Sequence, residues 1–234
     1  MDSKIPHYCL DLKGNILFES DSSRSETAET AIDLKTLTYR DSKKKIALID
    51  RDGVIVEKAP RFQYLQGAKD LRIIQGTAEA IRYLNKKGVL VVLVTNQPGI
   101  YKGQLTKDDL YDMTSTIQES LGKGKIDAVF FCPHAAPTEG DHITKEEECL
   151  CRKPKPGMLT AAMQLYTIKP ENAIMFGDFA SDLGAAHNAG ITAAFIATKH
   201  DESEAMRQKI QKEYPEVFAK RNYAHLLEAV MDLF

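Results

Sequence analysis

Carboxylates follow two apolar runs of this sequence, at positions that can bring them into one crevice. Asp50 and Asp52 come directly after the first run, and Asp178 and Asp182 follow the fourth. If the runs are parallel strands, ligands bind beyond their carboxyl ends, where these side chains would meet. A carboxylate cluster facing Lys153 favours Mg²⁺, a hard cation that prefers oxygen ligands. The alternatives are a surface turn for the first pair and an interaction with a helix dipole for the second.

Groups that can bind a phosphate occur in two further segments. Thr95 offers a hydroxyl and Asn96 an amide, and the glycine-containing loop after them offers backbone N–H groups that can cradle a phosphate. Arg152 and Lys153 place positive charge beside a helix start, and two prolines stiffen the approach. Taken singly, the first segment could be a plain strand-to-loop turn, and the second could be a run of charged residues exposed to solvent.

A second set of residues has the types and spacing of metal ligands. Cys132 and His134 are separated by one residue, as are Cys149 and Cys151, and fourteen residues lie between the two pairs. Three thiolates and one imidazole make a closed tetrahedral Zn²⁺ site, with no position left for a substrate. Bound zinc would order the polar loop within residues 132–151 and fix the cations that follow it. Unrelated cysteines near a sheet edge are the alternative.

Short apolar runs must position these groups. The runs do not alternate with polar residues, which is typical of strands buried on both faces of a parallel sheet. Helical stretches lie between them; Thr106 can cap one, and another stops at Gly88. This alternation predicts an α/β fold, a doubly wound parallel sheet flanked by helices. The runs are Ile46–Ile49, Val89–Val94, Ala128–Phe131, Ala173–Phe176 and Ile191–Ile196.

The first 45 residues differ from the rest of the chain. We predict an appendage of unknown role over residues 1–45 and one domain over residues 46–234. Short apolar segments on either side of Lys13-Gly14 predict a hairpin. Residues 19–30 are rich in Ser, Thr, Asp and Glu and lack apolar periodicity, which indicates a loop.

Composition limits the classes of function. The 234 residues include 31 Lys+Arg and 33 Asp+Glu, and this balance argues against a nucleic-acid surface or a polybasic membrane patch. No apolar run approaches the roughly 18–20 residues that span a bilayer, and the start lacks an apolar signal segment. Few, clustered cysteines suit a reducing compartment. We therefore expect a cytoplasmic, monomeric enzyme with a small-molecule substrate and no nucleic-acid or membrane partner.

The order of these motifs resembles that of the haloacid dehalogenase-like (HAD) phosphatase superfamily, across about residues 46–196. The resemblance implies a phosphoric monoester hydrolase in which Asp50 attacks phosphorus and forms an aspartyl-phosphate. Asp52 would protonate the departing alkoxide and then take a proton from water. Thr95 and Lys153 would bind the phosphoryl oxygens. The matching motifs are Asp50-Arg51-Asp52-Gly53-Val54, Thr95, Lys153 and Asp178 with Asp182.

The same resemblance implies a metal site and a positioning residue. Mg²⁺ would be held by Asp50, Asp178 and the backbone carbonyl of Asp52, where it relieves the repulsion between a carboxylate and a phosphate ester. Asp182 would orient Lys153 without touching the substrate. The zinc would be structural, because its four protein ligands complete the coordination.

The cysteine set narrows the resemblance to the D-glycero-D-manno-heptose 1,7-bisphosphate phosphatases, and histidinol-phosphate phosphatase domains share most of the motifs. The residues that match the substrate-contacting Asn and Arg of the heptose enzymes are Asn96 and Arg152. The segment Val56–Tyr64 departs from the loop typical of that family, and its Phe62-Gln63 is similar to the histidinol-phosphate group. No insertion is long enough for a large cap domain.

Several functions stay open on these residues. A heptose 1,7-bisphosphate 7-phosphatase is the leading interpretation, and a histidinol-phosphate phosphatase is the second. A catalytically idle sugar-phosphate-binding protein could keep the fold, but it would need no nucleophile at position 50. A zinc-dependent hydrolase is disfavoured because the expected zinc has no open coordination position.

Overall fold

A nine-stranded sheet with helices on both faces makes up most of the chain that the computed structural model describes. The described residues are 7–10, 16–19, 30–32, 44–59, 65, 67–135, 149–197 and 203–234. The strands are β1 (His7–Leu10), β2 (Ile16–Glu19), β3 (Thr30–Ile32), β4 (Ile46–Ile49), β5 (Leu90–Asn96), β6 (Ala128–Cys132), β7 (Ala173–Gly177), β8 (Thr192–Ile196) and β9 (Asn222–Tyr223).

The strand order puts a topological switch point beside β4. The order is β3-β2-β1-β6-β5-β4-β7-β8-β9, and the seven strands from β1 to β9 in that order run parallel. From β4 the chain moves out to β5 and β6, and then returns to β7 on the other side of β4. Ligands bind at such a point, outside the carboxyl ends of the strands. The predicted doubly wound α/β fold is confirmed.

Helices cover both faces of the sheet. In one hydrophobic cluster, α1, α3 and α8 pack on the sheet, and in the other α4, α5 and α6 do so. The helices are α1 (Thr77–Lys86), α2 (Pro98–Tyr101), α3 (Lys107–Ser120), α4 (Gly157–Leu165), α5 (Ala180–Ala189), α6 (Ser203–Glu213), α7 (Pro215–Lys220) and α8 (Leu226–Leu233).

Strand β4 shows why the apolar runs lack alternation. Ile46 and Leu48 pack into one hydrophobic cluster, whereas Ala47 and Ile49 pack into the other, and all four are fully buried. Burial of an Ile or Leu side chain stabilises a fold by about 1.5–3 kcal/mol. Both faces of β4 therefore need apolar residues. Packing on both faces fixes the position of the carboxyl end of β4 at the switch point.

The first strands of the chain continue the same sheet. β1 and β2 form the expected antiparallel hairpin, and β1 also pairs in parallel with β6. His7 of β1 is buried, and its Nε2 lies 3.1 Å from Oγ1 of Thr114 on α3. The hairpin turn and most of the expected loop over 19–30 lie outside the described residues. The division of the chain after residue 45 stays a prediction.

The start of α3 agrees with the sequence signal that predicted it. Thr106 caps α3: its Oγ1 accepts from the Asp109 backbone N–H at 3.0 Å, and the Asp109 carboxylate accepts from the Thr106 N–H at 2.9 Å. Within the described ranges no inserted cap domain covers the sheet. No helix in that part of the chain has the length and apolar content that a bilayer span requires.

Candidate active site

The carboxyl ends of the central strands open into a single pocket that contains most of the predicted catalytic residues. Asp50 directly follows β4, and β5 supplies Thr95 and Asn96. The turn before α5 supplies Asp178, whose carboxylate is buried beside the pocket. The side chains that line this pocket are Asp50, Asp52, Lys58, Thr95, Asn96, Lys153, Phe179, Ser181 and Asp182. Residues far apart in sequence therefore meet where the fold predicts a ligand.

Lys153 lies among the carboxylates as a buried positive charge. Its Nζ is 2.9 Å from Oδ1 of Asp50 and 2.7 Å from Oδ1 of Asp182, and it donates to the Val94 carbonyl at 2.7 Å. Burial alone would lower the pKa of Lys153, but the carboxylates of Asp182 and Asp50 outweigh it and raise that pKa. The lysine is therefore cationic throughout the ordinary pH range.

Asp50 lies in the most acidic part of the pocket. Burial raises the pKa of this carboxyl to about 7; Lys153 opposes the shift, while Asp182 and Asp178 add to it. Carboxylate oxygens of Asp50, Asp178 and Asp182 all lie within 4.8 Å of one another. A buried all-oxygen set of this kind fits a hard divalent cation, which would also favour the ionised form of Asp50. The carboxylates of Asp50 and Asp178 are close enough to share one such ion.

Two donors fix the carboxylate of Asp52 at the pocket wall. Arg51, itself buried, donates from its NH2 group to both Asp52 oxygens at 3.0 and 2.9 Å. Gln97 donates from Nε2 to Asp52 at 2.9 Å and to the Thr95 hydroxyl at 2.8 Å. Sequence reasoning did not single out Gln97 or Arg51. Their positions within the Asp-x-Asp and Thr-Asn-Gln segments were the available signal.

The two residues predicted to contact substrate are engaged with the protein itself. The Asn96 side chain accepts from the Lys153 backbone N–H and donates to the Lys153 carbonyl, both at 3.1 Å, while it also lines the pocket. Arg152 donates from NH1 to the His134 carbonyl at 3.2 Å. Asn96 therefore fixes the backbone that carries the buried lysine. Arg152 connects the same backbone segment to the cysteine cluster.

Lys58 and Phe179 also line the pocket, and neither of them was predicted as a site residue from the sequence. Nζ of Lys58 lies 2.6 Å from Oδ2 of Asp178 and 5.1 Å from the centroid of the Phe179 ring. Burial would lower the pKa of Lys58, but Asp178 outweighs it and raises that pKa. Lys58 belongs to the segment that departs from the heptose-family loop, so no motif marked it.

Gly53 lets Lys58 and Asp178 approach each other. Its φ is +95°, a conformation that L residues rarely adopt. A Cβ at this position would lie 2.0 Å from Oδ2 of Asp178 and 2.6 Å from Cε of Lys58. A glycine at position 53 is therefore required both by the positive φ of the turn and by the close approach of Asp178 and Lys58.

The cysteine cluster has the dimensions of a zinc site. The Sγ atoms of Cys132 and Cys149 are 3.7 Å apart, Cys132 Sγ is 3.5 Å from His134 Nδ1, and that nitrogen is 3.2 Å from Cys151 Sγ. A tetrahedral zinc ion separates two sulfurs by about 3.8 Å and a sulfur from a nitrogen by about 3.5 Å. The four side chains fit Zn²⁺, and no disulfide joins these cysteines.

The chemistry of the cluster also calls for a cation. The three cysteines are buried, and thiolates in such a place need a compensating positive charge. Zinc supplies that charge and binds thiolates rather than thiols. The cluster is tied to the catalytic segment, because Lys155 donates from Nζ to the Cys149 carbonyl at 3.0 Å. Residues 136–148, which zinc was expected to order, lie outside the described residues.

Comparison with known proteins identifies the family. The model of haloacid dehalogenase-like hydrolases matches residues 24–190. The D-glycero-beta-D-manno-heptose-1,7-bisphosphate 7-phosphatase of Vibrio cholerae is 37% identical over 151 residues, which are 63% of this chain and 78% of the relative. The corresponding enzyme of Haemophilus influenzae is 35% identical over 149 residues, with the same shares covered. The alpha-heptose enzyme of Campylobacter jejuni is 32% identical over 170 residues, 71% of this chain and 90% of the relative.

A solved structure extends the similarity to the fold of most of the chain. The D,D-heptose 1,7-bisphosphate phosphatase from B. bronchiseptica, complexed with magnesium and phosphate, superposes with a TM-score of 0.67 and 28% identity. The match covers 81% of this chain and 97% of that one. The predicted class, a phosphoric monoester hydrolase of the HAD type, is confirmed. The chain belongs to the haloacid dehalogenase-like hydrolase family, and it is similar to these heptose-bisphosphate phosphatases.

Proposed function

We propose that this protein is a Mg²⁺-dependent D-glycero-D-manno-heptose 1,7-bisphosphate 7-phosphatase. The observation that carries the proposal is the ion-paired cluster of Asp50, Lys153 and Asp182 beside Asp178 at the switch point. A binding protein would need no nucleophile at position 50. The relatives that match at 35–37% identity carry the heptose-bisphosphate name, and this supports the sugar bisphosphate as substrate.

The residues that would hold Mg²⁺ are Asp50, Asp178 and the backbone carbonyl of Asp52. Asp182 is left to the lysine, because its carboxylate pairs with Lys153 and also accepts from the Phe179 N–H at 3.0 Å. When bound, Mg²⁺ neutralises charge on the phosphoryl oxygens and on the attacking carboxylate, so that two anions can approach.

Asp50 would act as the nucleophile and Asp52 as the acid and base. An oxygen of Asp50 attacks phosphorus in line, the bond to the sugar oxygen breaks, and an aspartyl-phosphate forms. Asp52 gives a proton to the departing sugar oxygen and later takes one from the water that hydrolyses the intermediate. Arg51 and Gln97 hold Asp52 at the wall of the pocket for both transfers.

Thr95 and Lys153 would bind the transferred phosphoryl group. The Thr95 hydroxyl is fixed by the Gln97 amide, and Lys153 is fixed by Asp182 and the Val94 carbonyl. The Thr95 proton would donate to a phosphoryl oxygen, because the hydroxyl accepts from Gln97. The three Nζ donors of Lys153 are directed at Asp50, Asp182 and Val94, so Lys153 would act chiefly through its positive charge. Asn96, which lines the pocket, and Arg152, which adjoins Lys153 but is not among the lining residues, would contribute to substrate binding, as the resemblance implies.

The zinc ion would be structural, held by the Cys132, His134, Cys149 and Cys151 cluster. We also propose a monomer located in the cytoplasm. None of the four cysteines, all of which lie in the described ranges, forms a disulfide, which agrees with a reducing compartment. Size-exclusion chromatography with light scattering would measure the mass; a dimer would contradict the monomer.

Phosphate release with different substrates tests the proposal. With Mg²⁺ present, we expect kcat/KM for heptose 1,7-bisphosphate to exceed that for histidinol phosphate by about 100-fold or more, because polar contacts reject a ligand that lacks them. Both anomers and hexose phosphates belong in the same screen. A preference for histidinol phosphate would overturn the proposed substrate, and no release from any ester would favour the idle binding protein.

Removal of metal tests the proposed cofactor. Enzyme inactivated by a chelator should recover its phosphatase activity with Mg²⁺ alone. Recovery only with Zn²⁺ would support a zinc hydrolase.

Gly53→Ala is expected to remove most of the activity. The new methyl group collides with Asp178 and adds strain of about 1–2 kcal/mol at a positive φ. We expect kcat/KM to fall by about 100-fold, because a small displacement of a reacting group has that cost. The matched control is Gly67→Ala, where an added Cβ has no neighbour within 4 Å. Equal kinetics for the two variants would contradict the role of this turn.

A further inference from the structure

Lys58 makes an ion pair with a carboxylate that the proposed function assigns to the metal. Its Nζ lies 2.6 Å from Oδ2 of Asp178, and the Asp178 side chain is only 4% exposed whereas that of Lys58 is 29% exposed. The lysine therefore reaches from the rim into the interior of the pocket. Its stem crosses Gly53, since a Cβ there would lie 2.6 Å from Cε of Lys58.

We propose that Lys58 competes with Mg²⁺ for Asp178 and, once displaced, binds the second anionic group of the substrate. This inference rests on the proposed function, because it needs a cation held by Asp50 and Asp178. A divalent cation and an ammonium group in contact with one buried carboxylate repel each other strongly, and little water is present to screen them. Binding of the metal therefore moves the ammonium group away from Asp178.

The backbone around Lys58 keeps a displaced ammonium group at the mouth of the pocket. The Gly53 N–H donates to the Val56 carbonyl at 2.7 Å, and the Glu57 N–H donates to the Arg72 carbonyl at 2.8 Å. The side chain itself is a flexible four-carbon stem with a strongly hydrated charge at its end. Since Lys58 already lies 5.1 Å from the Phe179 ring centroid, that ring offers a second favourable position.

The charges in the pocket determine what a cation at the rim would recognise. The reacting phosphoryl group has Lys153 and the proposed Mg²⁺ at the floor of the pocket, so its charge is already compensated there. Lys58 lines the same pocket and is 29% exposed, so it lies closer to solvent than these groups. The leaving part of a substrate bound at the floor has to extend toward solvent. In a bisphosphate this leaving part carries another phosphate. The expected ligand of the displaced Lys58 is therefore the distal phosphate of a sugar bisphosphate.

Direct measurement of Mg²⁺ binding tests the competition without reference to activity. By titration calorimetry on the full chain without substrate, we expect Lys58→Met to bind Mg²⁺ about tenfold more tightly than the unaltered protein, a change of about 1.4 kcal/mol. Lys58→Arg keeps the charge and is expected to bind Mg²⁺ as the unaltered protein does. The control is Lys86→Met, at an exposed position on α1. An unchanged Mg²⁺ affinity in Lys58→Met would overturn the competition.

Steady-state kinetics at saturating Mg²⁺ test the substrate contact. For heptose 1,7-bisphosphate, Lys58→Met is expected to raise KM about tenfold, with a smaller change in kcat, because binding is lost more than chemistry. For heptose 7-phosphate, which has no distal phosphate, KM should change by less than about twofold. Lys58→Arg should restore most of the bisphosphate KM. An equal rise in KM for both substrates would overturn the distal-phosphate contact, whereas failure of the unaltered enzyme to release phosphate from heptose 1,7-bisphosphate would overturn the proposed function instead.

Discussion

Asp50→Asn is expected to lower the rate of phosphate release from the heptose bisphosphate by at least about 10⁴-fold, because removal of a catalytic nucleophile has effects of this size. The amide cannot attack phosphorus, and no aspartyl-phosphate can form. The measurement is kcat from phosphate release, together with trapping of the phosphorylated chain in acid. The control is Asp112→Asn, an exposed position on α3. If the variant kept more than about one per cent of the rate, the assignment of the nucleophile would be wrong.

The same variant separates loss of chemistry from loss of the fold. Burial raises the pKa of Asp50 to about 7, against about 3.9 for an unfolded chain. The ionised carboxylate therefore destabilises the folded chain progressively as pH rises between these values. Asparagine carries no such charge, and Lys153 keeps its pair with Asp182. In chelator at pH 8, the unfolding midpoint of Asp50→Asn should equal or exceed that of the unaltered protein, and at pH 4 no gain is expected.

Cys151→Ala is expected to remove zinc from the protein and to destabilise it severely. Loss of one of four ligands opens the site, and structural zinc contributes on the order of 10 kcal/mol to folding in small zinc domains. Elemental analysis should fall from about one zinc per chain to nearly none. We expect the unfolding midpoint to fall by more than about 10 °C, since each kcal/mol corresponds to a few degrees in a chain of this size. The phosphatase activity should fall as well, because Arg152 and Lys153 directly follow the missing ligand in the sequence.

A cysteine outside the cluster provides the matched control for zinc binding. Cys9→Ala on β1 removes a thiol that is also buried, and it should leave the zinc content at about one per chain. Its unfolding midpoint should fall by only a few degrees, as for an ordinary core truncation. Retention of one zinc per chain in Cys151→Ala would show that the cluster is not the zinc site.

The sheet was predictable because burial on both faces leaves a continuous apolar signal. All four residues of β4 are apolar and buried, and the predicted bounds match those found. The position of Asp50 followed, since a polar residue directly after a buried strand must lie at its carboxyl end. By contrast, α6 has few apolar residues, and Ile210 is the one that is fully buried, so its periodicity was too weak to predict a helix.

The contacts inside the site were less predictable, because they depend on side chains from distant segments. Lys58 lies in an irregular segment, and only the folded chain brings it to Asp178. Asn96 lines the pocket, and its amide also pairs with the Lys153 backbone, a contact that a residue's type cannot reveal. The pairing of β1 with β6 joins segments more than 100 residues apart, and no local pattern specifies such a partner.

The pairing of β1 with β6 has a consequence for solubility. All five residues of β6 are buried, and Tyr8 stacks on Phe130 with ring centroids 4.8 Å apart. An unpaired strand this apolar would present free main-chain donors and acceptors to other copies of the chain, which is how edge strands seed aggregation. The outermost strands, β3 and β9, have only three and two residues, so they offer little to such pairing. The hairpin therefore shields a strand that carries a zinc ligand, and a chain without it would tend to precipitate.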